Sequence, residues 1–111
     1  MAFDAVLATS GNIATITLSG ELDANSAGDF RTRVEEAAAA APDKLVLMME
    51  DLSFMASAGL RVLIFAKQKM GSNVDVFVVA PQDPVRETME MTGFHHSVIM
   101  LDAYDADEIE G

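Results

Sequence analysis

The side chains of this sequence that could do chemistry gather in one stretch, Asp51-Leu52-Ser53-Phe54-Met55-Ala56-Ser57-Ala58-Gly59-Leu60-Arg61-Val62-Leu63. One hydroxyl, that of Ser57, stands just ahead of Leu60, Leu63 and Ile64, whose i, i+3, i+4 recurrence predicts a largely buried helix. At the mouth of a helix the first backbone N–H groups lack intrahelical partners and the dipole favours negative charge, so a phosphate on Ser57 would be well placed. Serine also serves in that place as a plain N-cap, bonding a free N–H and nothing more. The two readings of Ser57 do not exclude each other. Asp51 reads as a solvated strand end or as a group steering Ser57 into a partner's active site, and Gly59 as a residue that lets the helix pack closely on a neighbour.

Little else in the chain invites chemistry. His95 and His96 are its two histidines, and adjacent residues of extended chain point opposite ways, which argues against a shared metal. Ser57 lacks the Gly-x-Ser-x-Gly elbow of a hydrolase nucleophile. Neither common glycine-rich phosphate loop occurs, and the acids form no pattern of a catalytic pair. The expectation is a protein with no catalytic residues, no cofactor and no metal site.

The elements that must position Ser57 follow from periodicity. Leu45-Val46-Leu47-Met48-Met49 is short and wholly apolar, as a strand buried on both faces of a parallel sheet would be, so the Ser57 stretch is a strand-to-helix junction. In open α/β sheets that junction lies on the working edge, where strands end and helices begin. Upstream, Phe3 to Thr9 and Ile13 to Ser19 flank the turn-forming Ser10-Gly11-Asn12 and read as a hairpin. Ala14, Ile16 and Leu18 fall on one face of its second strand, with Thr15 and Thr17 on the other. Gly20-Glu21-Leu22-Asp23-Ala24-Asn25 is polar enough for a loop, with Asp23 and Asn25 shaping it. A helix then carries Phe30, Val34, Ala38 and Ala41 on one side; Ser26 and Asp29 have capping-box spacing, Asn25 could cap as well, and Pro42 ends it.

Downstream, the central helix ends near Met70-Gly71, with Gly71 as C-cap. Val74 to Ala80 is a buried strand; Asp83-Pro84 opens a helix with Asp83 as N-cap, Val85 and Met89 as its inner face and Gly93 at its end; Val98 to Leu101 is a last edge strand. The order predicts a single α/β domain: a mixed central sheet of about five strands, an N-terminal hairpin followed by mainly parallel strands, with three to four helices. We expect the domain over residues 1–101 and an acidic tail or short terminal helix over 102–111.

Length and composition bound the reading. A chain of 111 residues, half of them hydrophobic, suits one core. Its apolar runs are shorter than the ~18 residues of a membrane span, and residues 1–14 lack the order of a signal peptide. Without cysteine there is no disulfide or thiol chemistry, which is compatible with the cytoplasm. Eighteen acids against seven bases give a formal charge of −11, which repels nucleic acid and anionic membranes and admits a basic protein partner. Five of the acids, Asp102, Asp105, Asp107, Glu108 and Glu110, lie in the tail, where they would act as a solubilising end.

The stretch from Asp51 to Leu63 resembles the signature of the STAS domains of bacterial anti-sigma factor antagonists. Gly20-Glu21-Leu22-Asp23 matches the family's second landmark and Gly93-Phe94 a weaker third, so the resemblance covers the whole chain. The commonest version of the motif reads Asp-Ser-Ser-Gly-Leu, with the serine next to the glycine phosphorylated; this chain has Ala58 at that serine and Ala56 at the aspartate. It matches instead the version Ser-Ser-Ala-Gly-Leu-Arg, through Ser57-Ala58-Gly59-Leu60-Arg61, which keeps the serine two before the glycine. The resemblance implies a phosphorylation-switched binding protein rather than an enzyme. Ser57 would be the acceptor, and Asp23, Asn25, Asp51, Ser53, Met55, Ala56, Ala58, Gly59 and Arg61 would form the partner-binding surface around it. The implied partners are an anti-sigma factor that is also a serine kinase, and a PP2C-type serine phosphatase.

Two rival readings belong to other classes. A receiver-like domain would phosphorylate itself on Asp51 with a divalent metal, but it needs further carboxylates near the end of strand one and a lysine late in the chain. Here the corresponding loop is Ser10-Gly11-Asn12 and no lysine follows Lys69. The other rival is a STAS docking subunit of a transporter or signalling assembly without reversible phosphorylation.

Overall fold

Alternation governs the first two strands. In the computed structural model, which describes residues 2–111, β1 (Asp4–Ser10) and β2 (Ile13–Leu22) pair antiparallel around Gly11, whose φ of 59° gives the tight turn. Ala14, Ile16 and Leu18 on β2 are fully buried. After α1 (Ala27–Ala39), the strands β3 (Lys44–Met55), β4 (Asp75–Val79) and β5 (Ile99–Leu101) add in parallel, in the sheet order β1-β2-β3-β4-β5. Between them come α2 (Ser57–Met70), α3 (Asp83–Met91) and a 3-10 turn at Phe94–Ser97; α4 (Ala106–Glu110) closes the described chain.

The three longer helices share one face of the sheet. Phe30, Val34 and Ala37 of α1, Leu63 and Ala66 of α2, and Val85 and Met89 of α3 join Ile16, Leu47, Met49 and Val78 in the main core. The opposite face carries a smaller cluster, Val46, Phe77 and Val79, covered by Ile109 of α4. The acidic tail is therefore more than a solubilising end. Asp105 caps α4 through the N–H groups of Asp107 and Glu108, and Lys44 donates its ammonium to the Ile109 carbonyl. The Tyr104 hydroxyl donates to Glu110; that bond, followed by desolvation and the Glu110 charge, raises the phenol above its usual 10.0.

Several boundaries differ from the sequence expectation, for local reasons. Strand β2 runs on through Gly20-Glu21-Leu22, which had read as loop, and β3 runs six residues past Met49. These extensions pair with each other, Ser19 with Asp51, Gly20 with Leu52 and Leu22 with Met55. Two register shifts, between Thr17 and Ser19 and between Gly20 and Glu21, each place one extra residue in β3. Its buried residues Met49, Leu52 and Met55 therefore recur every third position instead of every second, which hides the strand from a period-two reading. Helix α1 stops at Ala39, and the chain turns through Ala41 at a φ of 50° ahead of Pro42. Ala40 and Ala41 are thus outside the helix. Helix α3 is capped by Gln82, with Asp83 already inside.

Candidate functional site

The long β2–β3 ribbon carries the Ser57 junction beyond β4, whose last pair is Val79 with Met48. At its tip the Ala56 N–H donates to the Leu22 carbonyl at 2.8 Å, which ties the start of α2 to the end of β2. Ala56, extended at φ −80° and ψ 169°, is the N-cap residue; its carbonyl accepts from Gly59 at 3.0 Å and Leu60 at 3.1 Å. Ser57 is therefore the first residue inside the helix. Its hydroxyl caps nothing, which corrects the plain N-cap reading.

Gly59 explains itself by what a side chain would strike. A Cβ there would lie 2.6 Å from Leu22 Cγ and 3.1 Å from Met55 Cγ, far inside contact distance, and both neighbours are buried. Its absence lets α2 press onto the ribbon, so the glycine sets how far Ser57 stands out. Met55 is 2% exposed and Gly59 is buried, so both support the surface from beneath instead of forming it. That is a correction to their place among surface residues.

Two serines in the stretch behave oppositely. Ser53 Oγ donates to the Gly20 carbonyl at 3.0 Å, spanning the β2–β3 bulge. Ser57 is exposed, and its hydroxyl makes no hydrogen bond among the described residues. A phosphoryl group can be added to Ser57 Oγ without breaking any bond of the fold; on Ser53 it would remove one.

The loop after β2 stands beside the helix mouth because Leu22 is held to Ala56. Asp23 Oδ1 accepts the N–H groups of Asn25 at 2.9 Å and Ser26 at 3.1 Å. Ser26 Oγ accepts the Asp23 N–H at 2.9 Å and lies 3.1 Å from the Glu21 carbonyl, so it is drawn into the loop and makes no capping bond to α1. Asp23 is thereby committed to shaping the turn, with Asn25 exposed on it.

The remaining marked residues divide by position. Ala56 and Ala58 are half-buried, Arg61 is exposed, and Phe54 is 43% exposed beside them. Asp51 is exposed on β3 four residues before Met55, roughly 13 Å along a strand, so it borders the ribbon and not the helix mouth. A receiver aspartate sits at a strand's carboxyl end, which Asp51 does not. His95 and His96 stack with ring centroids 3.9 Å apart in the 3-10 turn, away from this junction, and His95 Nδ1 is buried without a partner. Among the described residues no group of three or more His, Asp or Glu could hold a metal, and no helix is long and apolar enough to cross a membrane.

The structure also adds residues that the sequence did not mark. Thr88 of α3 donates to the Met55 carbonyl at 3.3 Å, and Gln82 Nε2 reaches the Glu50 carbonyl at 2.7 Å, where β4 no longer pairs with β3. Arg31 of α1 lines a groove with Ala58 and Arg61. Of the three, only Gln82 carried a signal, as the polar residue before Asp83-Pro84.

Known proteins share this fold. The STAS domain model matches residues 4–106. The anti-sigma-F factor antagonist RsfB of Mycobacterium tuberculosis is 28% identical over 87 residues, covering 78% of this chain and 71% of its own. A crystal structure of an anti-sigma factor antagonist from Mycobacterium paratuberculosis superposes with a TM-score of 0.90 at 20% identity, covering 99% of this chain and 96% of that one. The anti-sigma factor antagonist SpoIIAA in its unphosphorylated form gives 0.78 at 22% identity, over 96% and 92% of the two chains.

Proposed function

The chain belongs to the STAS domain family, and from that premise we propose that it is an anti-sigma factor antagonist, a binding protein switched by phosphorylation of Ser57. Its unphosphorylated form binds an anti-sigma factor that is also a serine kinase, so that a sigma factor is released in the cytoplasm. The kinase transfers the γ-phosphoryl group of ATP to Ser57 Oγ, with loss of the hydroxyl proton and departure of ADP. A PP2C-type phosphatase hydrolyses the ester back to serine and inorganic phosphate. The protein is ligand and substrate in this cycle, and the chemistry belongs to its partners.

The observation that carries this reading is the contrast between Ser57, exposed and unbonded in the first turn of α2, and Ser53, whose hydroxyl is held by Gly20. Phosphate adds about −1.5 to −2 charges and strong acceptor oxygens. At the centre of a contact surface that is enough to drive a partner off through repulsion and desolvation, with no refolding of the domain. The names of RsfB and SpoIIAA support the partner class. The rim residues Asp23, Asn25, Asp51, Ser53, Ala56, Ala58 and Arg61 would frame the contact, with Met55 and Gly59 holding it from below.

Incubation with the cognate kinase and ATP, followed by phosphopeptide sequencing, tests the assignment. Phosphate on Ser57 is expected. Phosphate on Ser53 or on a threonine would overturn it.

A further inference from the structure

This chain has eighteen acids and seven bases, so positive charge is scarce in it and two arginines lining one groove stand out. Arg33 pairs with Glu36 and Arg86 with Asp102. Arg31 and Arg61 pair with no carboxylate among the described residues, yet both line one groove between α1 and α2, with Ala27, Gly28, Ala58 and Val62. The Arg31 guanidinium is held over the Phe65 ring, its central carbon 4.0 Å from the centroid. Helix α2 carries three bases, Arg61, Lys67 and Lys69, and no acid. The groove is thus a cationic cleft in an acidic protein, and Ser57 directly precedes its lining residue Ala58 and lies four residues before Arg61 on the same helix.

We propose that a phosphate on Ser57 is captured in cis by Arg61, with Arg31 as the second cation, so that phosphorylation fills the α1–α2 groove and masks both arginines. This rests on the reading of Ser57 as the acceptor. Residues four apart on a helix are neighbours, about 5–6 Å between Cβ atoms. Helical side chains lean toward the amino end, so Arg61 leans toward Ser57. A guanidinium offers a planar fork of donors that matches phosphate oxygens two at a time. Arg31 meets the same groove from α1. The modification then acts twice, adding negative charge and withdrawing two cations from the surface offered to a partner. Asp23 on the neighbouring loop and Asp51 on β3 oppose the capture, but Asp23 is tied within its loop and Asp51 lies down the ribbon.

The test uses the full chain with phosphoserine installed at position 57 during translation, followed by phosphorus NMR across pH. Free phosphoserine loses its second proton near pH 6. Capture by Arg61 stabilises the dianion, so the apparent value should sit about half a unit lower in the parent than in Arg61→Gln. Arg61→Lys should restore part of that shift, and Arg31→Gln should give a smaller loss. Molar salt should bring the curves together. Arg61 is exposed, so its variants should fold as the parent does, and melting curves check this. Coincident titrations of the parent and Arg61→Gln at low salt would overturn the proposal. Because the phosphoserine is installed directly, a kinase that modifies another residue would sink the Ser57 switch and leave this titration readable.

Discussion

The inner and outer sides of residues 51–61 are built on opposite terms. Inside, Leu52, Met55 and Leu60 join the fully buried Leu22 in the main core, and Gly59 leaves no room for even one carbon between α2 and the ribbon. Outside, Phe54, Ser57 and Arg61 are exposed, and the Ser57 hydroxyl makes no hydrogen bond among the described residues. Changes of volume should therefore be felt on the inner side and changes of charge on the outer. A surface that is to be altered repeatedly by a phosphate gains from a base that the alteration does not disturb. The same separation lets stability and partner binding be measured as independent quantities.

The largest expected effect is on the inner side. Leu22→Ala removes a fully buried side chain from under Gly59 and should destabilise the domain by about 3 kcal/mol, within the usual 2–5 for such a cavity. Denaturant unfolding measures it, and a loss under about 1 kcal/mol would mean that the ribbon tip is not packed as described. Gly59→Ala comes next. Alanine favours a helix over glycine by about 1 kcal/mol, but overpacking costs about 1–3, and buried Leu22 yields little, so a net loss of up to about 2 kcal/mol is expected. The double variant sharpens the comparison. If the new methyl strikes Leu22, the two losses should fall short of additivity by at least about 0.5 kcal/mol.

Ser53→Ala sits on the boundary between the two sides. Losing its bond to the Gly20 carbonyl should lower stability by about 0.5–1 kcal/mol. Ser57→Ala, only four residues on, should change stability by less than about 0.5 kcal/mol, since no bond is lost. Equal losses for the two serines would erase the distinction on which the choice of acceptor stands.

The comparison also shows why some of the molecule could be read in the sequence and some could not. The strand-to-helix junction was legible because Leu45 to Met49 is a solid apolar run and Leu60, Leu63 and Ile64 keep helical spacing. The hairpin and the Gly71 cap were legible for similar local reasons, and Gly71 has the positive φ, 86°, that glycine permits. The ribbon was not, because its two bulges break the alternation that announces a strand. Helix entry was misplaced by one residue at both Ser57 and Asp83, where the N-caps are Ala56 and Gln82, neither of which makes a side-chain capping bond. Arg31 could not be assigned to the groove, since its meeting with Arg61 depends on how α1 lies against α2. In the tail, the five acids outweighed the one informative residue, Ile109, whose burial depends on the far face of the sheet.

Paired calorimetry and titration of the parent, Ser57→Ala and Ser57→Asp test the central claim most directly. At the first helical position an aspartate gains about 0.3–1 kcal/mol from the helix dipole, so Ser57→Asp should melt at or slightly above the parent. In titration against the anti-sigma partner the same variant should bind at least roughly tenfold more weakly, since a charge placed at a close contact opposes desolvation and each 1.4 kcal/mol is about tenfold. Ser57→Ala should bind as the parent does and resist being switched off by kinase and ATP. Equal affinity for all three proteins would contradict the account and leave Ser57 as an exposed residue of the first helical turn.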